Sequence, residues 1–498
     1  MGWDEQCSVE RARDGYEATA GLSVSRVTRK TDFEAISLKE PRRVRGAHAY
    51  VDVRNFKSLL GGMDEQTDEE MLRRLHIYAR EVTRVVESDL DATKVHFQGP
   101  RLHALAYRPV SDDALMVAKA VLVAAAVRAT AEIFNEVLEL GEEEQWTTAA
   151  GMDFGEVTAT KNGVAGDREL LFLGAPANHA AKILGGGLRI TAAAAALLPD
   201  AFAAHMQEHE GRNWCTLHLP VPVIESLGAE YGWAWTAQRT RERLHAAAAA
   251  FPTGAARVQR AAGSIDKSTL ALSNSKLVEA VSLFADVDGF TAYIDDAAGT
   301  DPDLVEAVRA FHTLRKEMRN TAVADLGALR VQYQGDRMQA LVYQPLGEPP
   351  EVALAAVRAA AALQSVASRV IPQALPSGAE HPLAIGLAMG SVLVSKLGEH
   401  GDRDVVALGP SVARAAKIQE GLKGRQIGLH SELYSHLPAC VQELFSWSGS
   451  AYVADDLTAD TLERAELINS SAGARSIVSV PASSRRPATE PALRPYHR

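Results

Sequence analysis

Cysteine is scarce in this chain. Cys7, Cys215 and Cys440 are spread over 498 positions, odd in number and with no CxxC pair. That speaks against a disulfide framework and a zinc site, and suits a reducing compartment such as the cytoplasm. Positive charge is short as well: 52 Lys and Arg face 63 Asp and Glu, for a formal net charge of -11. This balance argues against a general nucleic-acid binder or a protein drawn to anionic membranes. It also repels polyphosphates at long range, so a polyphosphate ligand would need local cations. Charge-free apolar runs of spanning length are missing too. The apolar stretch 115–137 contains Lys119, Arg128 and Glu132, so it reads as a buried or amphipathic helix. The opening MGWDEQCSVERARDGYE is charged and has no apolar centre, so no signal peptide is expected there.

What remains is a globular composition, 47% hydrophobic and 23% charged, with length for two or three domains. The chain also repeats itself. Gly166-Asp167-Arg168-Glu169 leads through an apolar run to Gly174, and 235 positions on Gly401-Asp402-Arg403-Asp404 leads to Gly409. The same offset carries Gly151, Gly155 and Val157 onto Gly386, Gly390 and Val392, and Asn178 and Lys182 onto Ala413 and Lys417. Asp52 matches Asp286, and Gly99 matches Gly335, with slips of one residue. A period this long means duplicated domains, not a solenoid.

Each copy reads in one order. An apolar strand ends on an Asp (44–53; 279–288), then come a long helix (68–90; 302–323), a tight hairpin (94–107; 329–343) and a second, Ala-rich helix (112–139; 350–370). Two strands (147–160 and 167–173; 382–396 and 403–408), a short helix (176–185; 411–421) and a last strand (188–191; 426–430) complete it. The expected fold class is α+β, two tandem ferredoxin-like βαββαβ domains. The expected division is a polar lead-in over 1–40, domain 1 over 41–200, a linker with a helical segment over 201–275, domain 2 over 276–440, and a C-terminal segment over 441–498 with a disordered tail from about 470.

The second copy contains Phe284-Ala285-Asp286-Val287-Asp288-Gly289-Phe290-Thr291, then Gly335-Asp336, then Gly386 through Val392; the first contains Asn178-His179-Ala180-Ala181-Lys182. Each motif alone is weak. Their shared order in both copies resembles the class III nucleotide cyclases, over most of both copies. The resemblance implies an intramolecular pseudo-heterodimer whose site lies between the two domains.

On that resemblance the metal side is Asp286, the backbone of Val287, and Asp336. Two neighbouring carboxylates repel unless cations lie between them, and Mg²⁺ or Mn²⁺, two ions in this family, prefers such hard oxygen ligands. Gly289, Phe290 and Thr291 are expected to receive the substrate's phosphates. The other copy supplies Asn178 and Lys182 as catalytic residues, four positions apart on one helix face. Lys182 departs from the family's Arg, and Arg101 or Arg337 is expected to compensate. The losses are complementary. Pro100 replaces the second Asp in the first copy, and Ala413 replaces the Asn in the second. One working site and one silent one are expected, so a single chain suffices.

Purine-selective members of the family carry marker residues at places occupied here by His96 and Leu171, or by Gln332 and Val406 in the other copy. Neither purine pattern is present. The departure, with Gln-Gly-Asp-Arg at the hairpin, resembles the bacterial pyrimidine cyclases of the Pycsar antiphage system. This implies UTP, or else CTP, as the substrate, and a cyclic product read by a separate effector protein. His96 is then expected at the base edge, with Tyr50 or Phe97 packing on the ring. The same residues leave open an atypical adenylate or guanylate cyclase, a catalytically silent nucleotide sensor, or a polymerase-type palm domain.

Overall fold

A computed structural model of the chain describes residues 2–33, 35–59, 65–162, 169–399 and 402–476. The Gly166-Asp167-Arg168 and Gly401 members of the repeat signature lie outside the described residues, as does the tail from 477 onward.

Alternating apolar positions produce two sheets of nine strands each, with the same strand order. In the first, Arg42–Val53 runs antiparallel between the hairpin strand Arg101–Ala106 and the long strand Thr148–Asn162. In the second, Ser275–Val287 has the same place between Arg337–Val342 and Leu383–Glu399. Each central strand is thus paired along both edges and ends at the same point as the hairpin turn beside it. That register brings Asp286 next to the Gly335-Asp336 turn. The βαββαβ core is longer than the repeat suggested. Gly187–Thr191 is followed in the same sheet by Trp214–Leu217 and Met206–Glu208, and Gln426–Leu429 by Tyr452–Asp455 and Ser446–Trp447.

Two helices per copy cover one face of each sheet. Asp113–Val137 starts where the Asp112 carboxylate accepts the Leu115 N–H at 2.9 Å, a standard N-cap. This helix and Pro349–Ala374 are long and apolar enough to cross a membrane, yet 83% and 72% of their most apolar windows are buried in the protein. Core burial therefore accounts for their composition.

The short helices Ala175–Lys182 and Pro410–Glu420 lie on the opposite face. Here the paired glycines act through space. A Cβ added at Gly151 would come within 2.1 Å of the Ala180 carbonyl oxygen, and one at Gly386 within 2.3 Å of that of Ala415. Only glycine lets backbone and helix approach so closely.

The stretch between the copies is ordered. Its helix Ala237–Ala250 is held to the first copy by Arg243, which bonds buried Glu81 at 2.7 Å and buried Asp89 at 2.5 Å. Val258–Arg260 then adds a parallel strand to the second sheet. At the N-terminus, helix Glu5–Glu17 packs on Asp301–Arg319, with Arg11 bonded to Glu317 at 2.5 Å and to Asp325 at 2.7 Å.

The two copies interlock about a pseudo-twofold. Leu393, Leu397, Val406 and Leu408 of the second copy belong to the first core, while Leu171 and Leu173 of the first copy belong to the second. Two carboxylates at equivalent positions latch the exchange. Glu169 accepts the Tyr333 N–H at 3.0 Å and contacts Arg330, and Asp404 accepts the Phe97 N–H at 3.2 Å and pairs with Lys94 at 3.3 Å.

Candidate active site

The interlocked arms leave a cavity of about 490 Å³ between the copies. Its first-copy wall includes Tyr50, His96, Arg101, Leu171, Asn178 and Lys182. Its second-copy wall includes Asp286, Val287, Gly289, Phe290, Thr291, Asp336 and Arg337. All the candidate site residues except Phe97 thus line one space, with contributions from both halves of the repeat.

On the second-copy side the central strand stops at Val287, and Gly289 turns the chain with φ 73°, a left-handed conformation that favours glycine. Helix Phe290–Ala297 starts at once, so its first N–H groups stand at the cavity beside the carboxylates. Burial raises the Asp286 carboxyl above its usual range, although Arg337 and the Gln419 amide oppose the shift. Asp336 is raised well above its usual range, first by burial and then by the charge of Asp286. Two acids so placed lack positive charge between them. Hard oxygen donors on the cavity surface are the chemistry that Mg²⁺ or Mn²⁺ fits. Among the described residues no group of three or more His, Cys, Asp or Glu gathers as a complete ligand set. An ion there would depend on Asp286, Asp336, backbone oxygen and the substrate's phosphates.

On the first-copy side, Asn178 sits inside helix Ala175–Lys182 rather than at its cap, and its amide donates to the Thr291 hydroxyl across the domain boundary. The Ala175 N–H crosses the same boundary to Asp295 at 3.1 Å. Lys182 has no hydrogen-bond or ion-pair partner among the described residues, so its charge is available to the cavity. The two arginines are less available. Arg101 makes bonds of 3.1 and 2.9 Å to Asp52, the pairing that answers the surviving Asp of the first copy. Arg337 bonds the Gln334 and Gln419 side-chain oxygens and lies 5.1 Å over the Phe284 ring.

Tyr50 lines the cavity but is only 8% exposed, with its ring stacked on His103 at 4.3 Å. Phe97, the alternative packing residue, is 3% exposed in the first core and does not line the cavity, because strand alternation turns it to the other face. Three cavity-side contributors had no motif to mark them. Gln419 donates to Asp286 at 3.2 Å from the end of its helix. His103 lines the cavity beside Tyr50, and His48 stands behind it, 3.0 Å from its ring nitrogen. Only the strand register could have found the histidines, since His103 pairs with both Tyr50 and His96.

The pseudo-equivalent space is a smaller cavity of about 220 Å³, lined among others by Asp52, Pro100, Arg101, Ala413 and Glu420. It contains no carboxylate pair like Asp286 and Asp336, and Arg101 occupies the one Asp at the metal position.

No protein-family model matches the chain. Two curated relatives are named uridylate cyclase. One, from Pseudomonas aeruginosa, is 29% identical over 471 residues, covering 90% of this chain and 88% of the relative. The other, from a Rhizobium species, is 27% identical over 432 residues, covering 81% of this chain and 80% of the relative. Among solved structures, a class III adenylyl cyclase-like ATP-binding protein from Pseudomonas aeruginosa has a TM-score of 0.80 at 26% identity, covering 94% of this chain and 100% of that one. The chain has the tandem class III cyclase-like fold along nearly its whole length.

Proposed function

We propose that this chain, class III cyclase-like in sequence and fold, is a nucleotide cyclase. It converts a pyrimidine nucleoside triphosphate, UTP before CTP, into the 3′,5′-cyclic monophosphate and pyrophosphate. The ribose 3′ oxygen bonds the α-phosphorus, the bond from that phosphorus to the α–β bridging oxygen breaks, and the hydroxyl proton leaves to solvent. In this reading it works in the cytoplasm, and its product is an antiphage signal read by a separate effector protein. The observation that carries the reading is the cavity itself. It joins Asp286 and Asp336 of one copy to Asn178 and Lys182 of the other.

The residues divide the work. Asp286, Asp336 and the Val287 carbonyl would hold two Mg²⁺ or Mn²⁺ ions, which when bound neutralise phosphate charge and polarise the reacting oxygens. Gly289, Phe290 and the N–H groups opening helix Phe290–Ala297 receive the terminal phosphates. Thr291 and Asn178, already hydrogen-bonded to each other, orient phosphate and ribose from the two sides. Lys182 faces the α-phosphate, where negative charge grows in the transition state. Arg101 and Arg337 frame the site while tied to Asp52 and Gln419.

An adenine nucleotide is the second reading, favoured by the ATP-binding description of the solved neighbour. The base wall of His96 and Leu171 lacks the residues by which this family marks a purine. Mn²⁺-dependent pyrophosphate release from UTP tests the proposal. Asp286→Ala, Asp336→Ala and Asn178→Ala are each expected to reduce it sharply, and Asp52→Ala much less. Equal loss in both sets would sink the single-site reading.

A further inference from the structure

The reaction chemistry leaves one wall of the cavity unused. His96, His103 and Tyr50 stand side by side on three neighbouring strands, because the register pairs His103 with both of the others. The His96 ring meets His103 edge-on, with centroids 5.3 Å apart. Behind them His48, fully buried and packed edge-on against Phe172, places its Nδ1 3.0 Å from His103 Nε2. Burial holds all three imidazoles neutral, with His48 pushed down to about 3, His96 to about 4, and His103 well below its usual range.

Neutral rings carry one proton each, so the hydrogen bonds constrain where it sits. The Gln98 amide nitrogen lies 2.8 Å from His96 Nε2 and donates to it, which leaves the proton of His96 on Nδ1. In the His48–His103 contact only one nitrogen carries hydrogen. His48 Nε2 is buried and unpaired among the described residues whichever ring donates, while His103 Nδ1 is a bare acceptor if His103 donates and an N–H if His48 does. That Nδ1 is buried and has no partner among the described residues, although the ring lines the cavity. A buried nitrogen left unpaired costs about 1–3 kcal/mol, so a ligand group that meets it is favoured.

The duplication supplies the control. The second copy has Ser282, Gln332 and Gln339 at the places of His48, His96 and His103, and Gln332 and Gln339 line the silent cavity. A purely structural need of the fold would fall on both copies. The histidines occur only in the copy that faces Asp286 and Asp336.

We propose that His96 and His103, with His48 as a positioning residue behind them, form a base-reading edge in which the His96 Nδ1–H meets uracil O4 and His103 Nδ1 lies beside it at N3, and so selects uracil. Uracil presents O4, an acceptor, next to N3–H, a donor. Cytosine and adenine present the reverse order, an amino group next to a bare ring nitrogen. This inference rests on the cyclase reading above.

The test is steady-state kinetics on the full chain with Mn²⁺, comparing UTP with CTP. His103→Gln installs the second copy's residue and removes Nδ1, while His103→Asn retains a polar group near the Nδ1 place. We expect His103→Gln to raise KM for UTP about tenfold, the value of one hydrogen bond, with kcat within about threefold. The preference for UTP over CTP should fall by a similar factor, and His103→Asn should recover part of it. Should His103→Gln unfold, His96→Gln reads the same ratio from the neighbouring strand. An unchanged UTP:CTP ratio in folded variants overturns the inference alone. Absence of UTP turnover in the wild type overturns the cyclase reading, and the inference with it.

Discussion

The latch at Glu169 gives a sharp test of how the two copies hold the cavity between them. Its carboxylate comes from the first copy and is 31% exposed, but it faces Arg315 and Arg330 of the second copy, whose side chains are 0% and 3% exposed. Among the described residues Arg315 has no hydrogen bond at any guanidinium nitrogen; it lies 3.7 Å from Glu169 and 3.6 Å over the Tyr333 ring. Glu169→Gln keeps the volume and an acceptor for the Tyr333 N–H but removes the charge. Taking one partner from a fully buried pair costs about 3–5 kcal/mol; with Glu169 partly exposed the loss should be smaller but still well above that of a surface change, because Arg315 loses its nearest carboxylate. The variant should therefore unfold at a clearly lower urea midpoint. Turnover should fall as well, since Glu169 opens the strand Glu169–Leu173 that carries Leu171 to the base wall. Asp404→Asn is the control: its carboxylate pairs with one cation, Lys94, where Glu169 faces two, so the loss there should be smaller. A Glu169→Gln protein within about 0.5 kcal/mol of wild type, the range of ordinary surface changes, would refute the reasoning.

Three further outcomes are expected. Asp336 is held above its usual range by burial and by Asp286, so in metal-free protein its ionisation destabilises the fold; the penalty is absent below the ordinary carboxylate range and grows as pH rises through the raised one. Asp336→Asn should therefore raise the metal-free melting temperature at neutral pH while abolishing Mn²⁺-dependent turnover, and melting no higher than wild type would contradict this. Lys182→Ala should lower turnover about 10²- to 10³-fold, as expected for removing transition-state charge stabilisation, whereas Lys417→Ala, outside both cavities, should leave it near wild type; the ratio of kcat values decides. Gly151→Ala forces a Cβ to within 2.1 Å of the Ala180 carbonyl and should cost about 1–3 kcal/mol in denaturant unfolding, while Gly186→Ala, with nothing within 4 Å, should not.

Much of this was legible in the sequence because the chain is its own alignment. The offset between copies exposed Asp286, Asp336, Asn178 and Lys182 by what each half kept and lost, and the structure lines one cavity with all four. Element order followed from apolar periodicity and turn residues. What stayed hidden depends on long-range register. The strands Met206–Glu208 and Trp214–Leu217 are short, lie beyond the repeat motifs and find their place only by pairing with Gly187–Thr191. Phe97 and His103 are both ring residues on one hairpin, and only strand alternation sends the first to the core and the second to the cavity. Gln419 acts from the last turn of a helix whose motif residues lie earlier in it. The glycine pair 151 and 155 was read as a motif, but its physical reason, a helix resting on bare backbone, is visible only in three dimensions.

The most direct measurement is to incubate the full-length protein with Mn²⁺ and an equimolar mixture of ATP, GTP, CTP and UTP, and to identify the nucleotide products by mass spectrometry. The predicted result is cyclic UMP with one pyrophosphate per turnover and little of any other cyclic nucleotide. A dominant cyclic purine nucleotide, or bound nucleotide with no pyrophosphate released, would contradict it.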